Sequence, residues 1–207
     1  MTDGSPTRSR LIALKEERRA MQEGYVFLDE KCLLLAGAML RELRRHDEQL
    51  AALAAAQATA GTALRAALAR HGLDGLSVYP ACRADSLKLT ETQSSLIGVV
   101  LRRAELGVVP APVAAAVFPS PEAEACRAAF AALARAAAEL AATVGNLARL
   151  HREYRRTVRR ASALHDVVLP ELEREVAAIA GQLEELERDE ALWVRFARRG
   201  GDQEEGA

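Results

Sequence analysis

Apolar residues recur along the first third of the chain at alternating steps of three and four. One stripe passes through Leu11, Leu14, Met21, Tyr25, Leu28, Cys32, Leu35, Met39, Leu43, Leu50, Leu53, Ala60 and Leu64. Such spacing puts one side of a helix in a seam. Pro6-Thr7 predicts its start, and Gly72 and Gly75 predict its end. A second stripe begins after Ser120-Pro121-Glu122, an N-cap followed by proline at the first helical position and an acidic first turn. It runs from Cys126 and Phe130 through Leu140, Val144, Leu147, His151, Tyr154, Val158, Ala161, His165, Val168, Leu172 and Val176 to Leu186 and Trp193. A period near 3.5 held over so many turns predicts a coiled coil. The fold class read from this pattern is all-α: a long two-helix antiparallel coiled coil with a short β-hairpin and loop region in the middle of the chain.

The expected organisation is a first helix over 1–72, a Gly/Pro-rich middle over 73–119, a second helix over 120–199 and a polar, disordered tail over 200–207. The middle carries Pro80, Pro110, Pro112 and Pro119, and two β-like pieces, Leu87–Thr92 and Ile97–Arg103. The first alternates Leu87 and Leu89 against Lys88, Thr90 and Thr92, as a half-buried strand does. Each helix holds two consecutive four-residue steps, Leu35-Met39-Leu43 and Val168-Leu172-Val176. Setting these stutters at one level predicts a register in which Met39 faces Leu172, His46 faces His165, and Gly24 faces Glu187. Two facing histidines could bind metal or switch with pH, or simply pack.

Composition narrows the possibilities. Only 4% of residues are aromatic and about a fifth are alanine, which points to a thin helical body over a compact ball. Acidic and basic residues balance at a net charge of −1, which disfavours a general binder of nucleic acid or anionic lipid. The N-terminus lacks the apolar stretch of a signal peptide. The most apolar tract, 128–150, is mostly alanine and is interrupted by Arg135 and Glu139, so no membrane span is expected. Cys32, Cys82 and Cys126 are few and far apart, as in a reduced cytoplasmic protein. No phosphate-binding loop, dinucleotide fingerprint or HExxH motif is present. No catalytic residue, cofactor or metal is therefore predicted.

The opening Pro6-Thr7-Arg8, then Leu11, Leu14-Lys15, Gly24-Tyr25, Leu28 and Lys31, resembles the start of the D subunit of V/A-type rotary ATPases. Thr157 to Leu164, followed by Val167-Val168-Leu169-Pro170 and Leu172-Glu173, is similar to that family's C-terminal signature, and Leu183 to Glu190 continues it. Ser162 stands where the family usually has Asn, and Arg18 where it has an apolar residue. The resemblance implies a central rotor shaft that binds no nucleotide itself. Its termini would enter a head of catalytic and non-catalytic nucleotide-binding subunits. Its connecting end would meet a socket subunit on the membrane ring and a small rotor partner, the F subunit. The chain would then be cytoplasmic and peripheral to the plasma membrane.

Several residues stand out as partner-binding candidates. Arg149, Arg152, Arg155, Arg156, Arg159 and Arg160 form a basic belt that the stutter register places opposite the uncharged segment 51–62. The belt is either a solvated face or a docking site for carboxylates. Arg195, Arg198 and Arg199 complement the helix dipole or, by resemblance, line a bearing in the head. The Leu87–Arg103 hairpin, with Leu87, Leu89, Val99 and Leu101, is either loop decoration or, by resemblance, the docking surface for the socket. Gly24 and Leu172 are assigned structural roles. So is Pro170, which either kinks the second helix or is held straight by its partner. The rival functional reading is a cytoplasmic coiled-coil scaffold that self-associates or lies on membranes. A nucleic-acid clamp has little support.

Overall fold

The computed structural model describes residues 7–79, 87–108, 116 and 118–204. Pro80, Cys82, Pro110 and Pro112 of the Gly/Pro-rich middle lie outside the described residues, as does Pro6. Helix α1 spans Arg8–Ser77, strands β1 and β2 span Leu87–Leu96 and Val99–Val108, helix α2 spans Pro121–Ala163, and helix α3 spans Leu169–Glu204. A π-helical turn, Leu164–Val168, joins α2 to α3. The fold is thus all-α apart from one hairpin, with long antiparallel helices on either side of it in the sequence.

Two of the expected helix signals are seen, at Gly72 and Ser120, while α1 runs on through Gly75 to Ser77. Gly72 adopts φ 69° and ψ 174°, interrupting α1 at the glycine that the sequence marks as its end. The α2 start is capped as predicted: the Ala123 N–H donates to Ser120 Oγ at 3.2 Å. His71 Nε2 lies 2.6 Å from the same hydroxyl, tying the end of α1 to the start of α2.

The chain divides into two compact units, Leu33–Arg155 and Met1–Cys32 with Arg156–Ala207. In the first, Glu42 bonds to Asn146 and His71 to Ser120, so α1 and α2 run antiparallel. Its core gathers Leu35, Ala38, Val99 and Leu150, with Met39, Leu96, Leu101 and Tyr154 packed against them. In the second unit, Arg8 pairs with Glu187, the Tyr25 ring lies 5.1 Å from that of His165, and Leu164 is the nearest neighbour across from Gly24. Leu14, Thr157, Ala161, Leu169 and Leu172 are buried there.

These pairs correct the register. Glu187 meets Arg8 rather than Gly24, a displacement of roughly 16 residues, or more than four helical turns. The ring of His165 lies against Tyr25, and each histidine contacts the aspartate that follows it, Asp47 or Asp166. Segment 51–62 lies between the Glu42–Asn146 and His71–Ser120 pairings, so it runs beside the alanine-rich part of α2 and not beside the arginine belt. The four-residue steps misled because helix two adjusts its phase by another device. Pro170 has no N–H to give to the carbonyl of Asp166, and its ring would crowd that carbonyl in a regular α-helix. A widened turn just before the proline, closed by Leu169 N–H on Leu164 O, inserts the extra residue. The feature at Pro170 is this π turn.

The seam also departs from the apolar stripes. Leu43, Leu50, Phe130, Val144 and Trp193 are exposed, while Ala67, Ala123, Thr143, Asn146 and Thr157, outside the stripes, are buried. Small residues let two backbones approach closely, and a two-helix seam is too narrow to cover every large side chain. Alanine gives a weak hydrophobic signal in a sequence and asparagine none, so periodicity mostly selected their larger neighbours.

The hairpin is longer than its two predicted pieces. Ten residues of each strand pair one to one without a bulge, from Leu87↔Val108 to Leu96↔Val99. Ile97, expected in the second strand, instead occupies the two-residue turn with Gly98, at φ 47° and 83° respectively. Two positive φ values match the right-handed twist of the strands. A β-branched residue is strained there.

Candidate partner-binding surfaces

Beside the packing of Leu96, Val99 and Leu101 on the helices, one helix side chain holds the β-hairpin by hydrogen bonds. Asn146, only 2% exposed, accepts from Arg102 N–H and donates to Arg102 C=O, both at 2.8 Å. Its remaining amide hydrogen goes to Glu42 Oε2 at 3.2 Å, and its remaining lone pair takes a bond from Arg149 at 2.6 Å. All four hydrogen-bonding capacities of the amide are filled. Arg102 is thereby paired on its outer side as though by another strand. Sequence reasoning missed Asn146, because a lone polar residue within a helical stripe carries no motif.

Val99 is buried and Leu101 packs on the Leu35–Leu150 core, so both serve the fold internally. Leu87 and Leu89 remain exposed, 41% and 53%, and keep the docking role open to them.

Arg149 differs from the rest of the belt. Its guanidinium is tied to Asn146, lies 3.5 Å from where a Cβ on Gly145 would be, and leaves Nε buried without a partner. Arg152, Arg155, Arg156, Arg159 and Arg160 are exposed, and none pairs with another described residue. At 100° per residue these five span one side of α2, away from buried Leu150, Thr157 and Ala161. Glu153 stands beside them, engaged elsewhere. Arg195 is exposed on α3; the side chains of Arg198 and Arg199 lie outside the described residues.

Large apolar side chains form a second exposed set. On α1, Leu33 and Leu40 are 68% and 58% exposed, and Leu43 and Leu50 are also open. Leu33 and Leu40 stand seven apart, as do Leu43 and Leu50, and Leu43 follows Leu40 by three. That is the spacing of a further seam. On α3, Leu192, Trp193 and Phe196 are exposed.

Burial, and secondarily Asp29, push the Cys32 thiol above its usual range. Cys32 and Cys126 are free thiols. Among the described residues no cluster of His, Cys, Asp or Glu could hold a metal ion. An 18-residue window of the helical run Pro121–Phe196 reaches a mean hydropathy of 1.3, enough by length and composition to cross a membrane. Yet the polar Asn146 network and the hairpin pack on that same run.

The family model for the ATP synthase D subunit matches residues 10–198. The chain belongs to that family. The match takes in both long helices and the hairpin between them. A curated relative, the V-type ATP synthase D subunit of Thermotoga neapolitana, is 24% identical over 192 residues, covering 92% of this chain and 95% of the relative. Membership in the D-subunit family makes the chain one component of a V/A-type ATPase, a membrane-associated assembly whose other subunits are its partners.

Proposed function

We propose that the chain is the central-stalk rotor subunit, transmitting torque between a catalytic head and a membrane ion-translocating ring. The observation that carries this reading is the family match across both long helices, in a chain whose thin seam leaves charged and apolar stripes uncovered. The unpaired arginine face of α2 suits acidic residues on a neighbour, since arginine binds carboxylates through paired N–H donors. The leucine stripe on α1 suits a helix of the small F subunit. The exposed Trp193 and Phe196 suit a bearing in the nucleotide-binding subunits, and the hairpin suits the socket. The chain itself is non-catalytic: it supplies stiffness, and asymmetry comes from the π turn and the uneven charge. Its place is on the cytoplasmic side of the plasma membrane.

Affinity capture of the tagged chain from its host, with mass spectrometry, tests the reading. Nucleotide-binding subunits in stoichiometric excess over the chain are expected. A bead attached to the chain in the immobilised complex should rotate on addition of ATP; a bead that stays fixed while ATP is hydrolysed refutes the rotor role. The uncovered leucines of α1 also favour a second reading, a self-associating scaffold. Sedimentation equilibrium separates the two, because only the scaffold forms homo-oligomers in the purified chain.

A further inference from the structure

The two edges of the hairpin differ. In an antiparallel ladder, alternate residue pairs direct their N–H and C=O groups outward. Arg102 gives both of its groups to Asn146, so the Gln93↔Arg102 pair is an outward one. By alternation along the register, so are Leu87, Leu89, Glu91 and Ser95 on β1. On β2 the outward side is pinned against α2 by Asn146 and, through it, Glu42 of α1. On β1 the first nine of ten residues are exposed. This open edge carries few of the usual protections: it has no proline and no bulge, and Lys88 and Glu91 are its two charges.

We propose that the β1 edge accepts an added strand from another subunit of the assembly; this inference rests on the rotor reading above. Side chains on β1 state the chemistry of that strand. Leu87 and Leu89 project on one face and call for apolar side chains beside them. Lys88 projects on the other face opposite Gly107, which offers no side chain, and has no ion-pair partner among the described residues. It calls for a carboxylate. Glu91 is already paired with Arg102. The incoming segment is therefore extended and alternates apolar and acidic residues. Main-chain bonds to Leu87, Leu89, Glu91 and Gln93 supply affinity, and the alternating side chains supply selectivity.

Hydrogen exchange resolved to single amides tests this in the purified chain and in the complex isolated from the host. The N–H groups of Leu89, Glu91 and Gln93 should exchange freely in the chain alone and slow by at least about tenfold in the complex. Leu89→Pro removes one outward donor and spares the inward bonds, a position where an edge strand tolerates proline. It should weaken recovery of the chain with the complex by about tenfold, as should Lys88→Glu, while the inward amides of Ser94 and Leu101 stay protected in both variants. An assembled complex in which the three outward amides still exchange freely overturns the inference and leaves the rotor reading standing. Concentration-dependent protection in the isolated chain identifies a second copy as the occupant and also overturns it. A chain that does not assemble at all overturns both.

Discussion

Removing the Asn146 side chain should weaken the attachment of the hairpin, leaving the helices formed and only the packing of Leu96, Val99 and Leu101 to hold it. In Asn146→Ala, the Arg102 N–H and C=O lose their partners, and Arg149 and Glu42 each lose a bond. Each neutral bond contributes about 1 kcal/mol net, and a bond to a charged group up to about twice that. Arg149 and Glu42 are partly reached by water, which reduces their share. Because the four bonds act as one network, they do not simply add. A loss of about 3 kcal/mol follows, equivalent to roughly a hundredfold faster exchange for amides released by hairpin detachment. Hydrogen exchange at the inward-facing Ser94 and Leu101, with circular dichroism for helix content, is the assay. Asn146→Asp should be no better than alanine, since a carboxylate cannot donate to the Arg102 C=O or to Glu42. If hairpin exchange in Asn146→Ala stays within about threefold of the parent, or if Asn146→Asp matches it, the amide is not what holds β2, and the account of the network is wrong.

Reversing Arg155 and Arg156 to Glu should weaken assembly with the nucleotide-binding or small rotor subunits, as measured by co-purification and ATP turnover; full assembly would make the arginine face merely solvated. Gly24→Ala should stabilise the chain by about 0.5–1 kcal/mol in urea unfolding, because α1 gains helix propensity and the new methyl meets Leu164 at an ordinary 3.9 Å. A destabilised Gly24→Ala would show that the glycine is there for close approach. Cysteines introduced at Arg8 and Glu187 should crosslink within one chain, whereas cysteines at Gly24 and Glu187 should not; the opposite result would restore the stutter register. Cys32 should alkylate more slowly at pH 8 than a free thiol does. Burial and Asp29 favour its protonated form, so reactivity should rise only at higher pH, and Asp29→Asn should shift that rise downward; a rate equal to a free thiol contradicts the burial.

Local chemistry made much of this protein legible from residues alone. Ser120-Pro121-Glu122 starts a helix, and Gly72 breaks one, because the groups that satisfy or strain the backbone lie within a few residues. A strand at Leu87–Thr92 and the D-subunit resemblance were readable for the same reason, but the half-buried face expected of Leu87 and Leu89 was not realised, since both are exposed. The arginine face was readable too, as a helical spacing, although not as a surface turned away from the seam.

Which residues touch across the seam was decided only in three dimensions. An alanine-rich coil offers many registers of similar apolar content. The choice among them fell to Asn146, Glu42, His71, Ser120 and the π turn before Pro170. Their contacts join positions far apart in sequence, and none has a periodicity of its own. The same holds for the unequal edges of the hairpin. Outward and inward backbone groups look identical in a string of letters, until one amide on a neighbouring helix pairs with Arg102 and leaves β1 open.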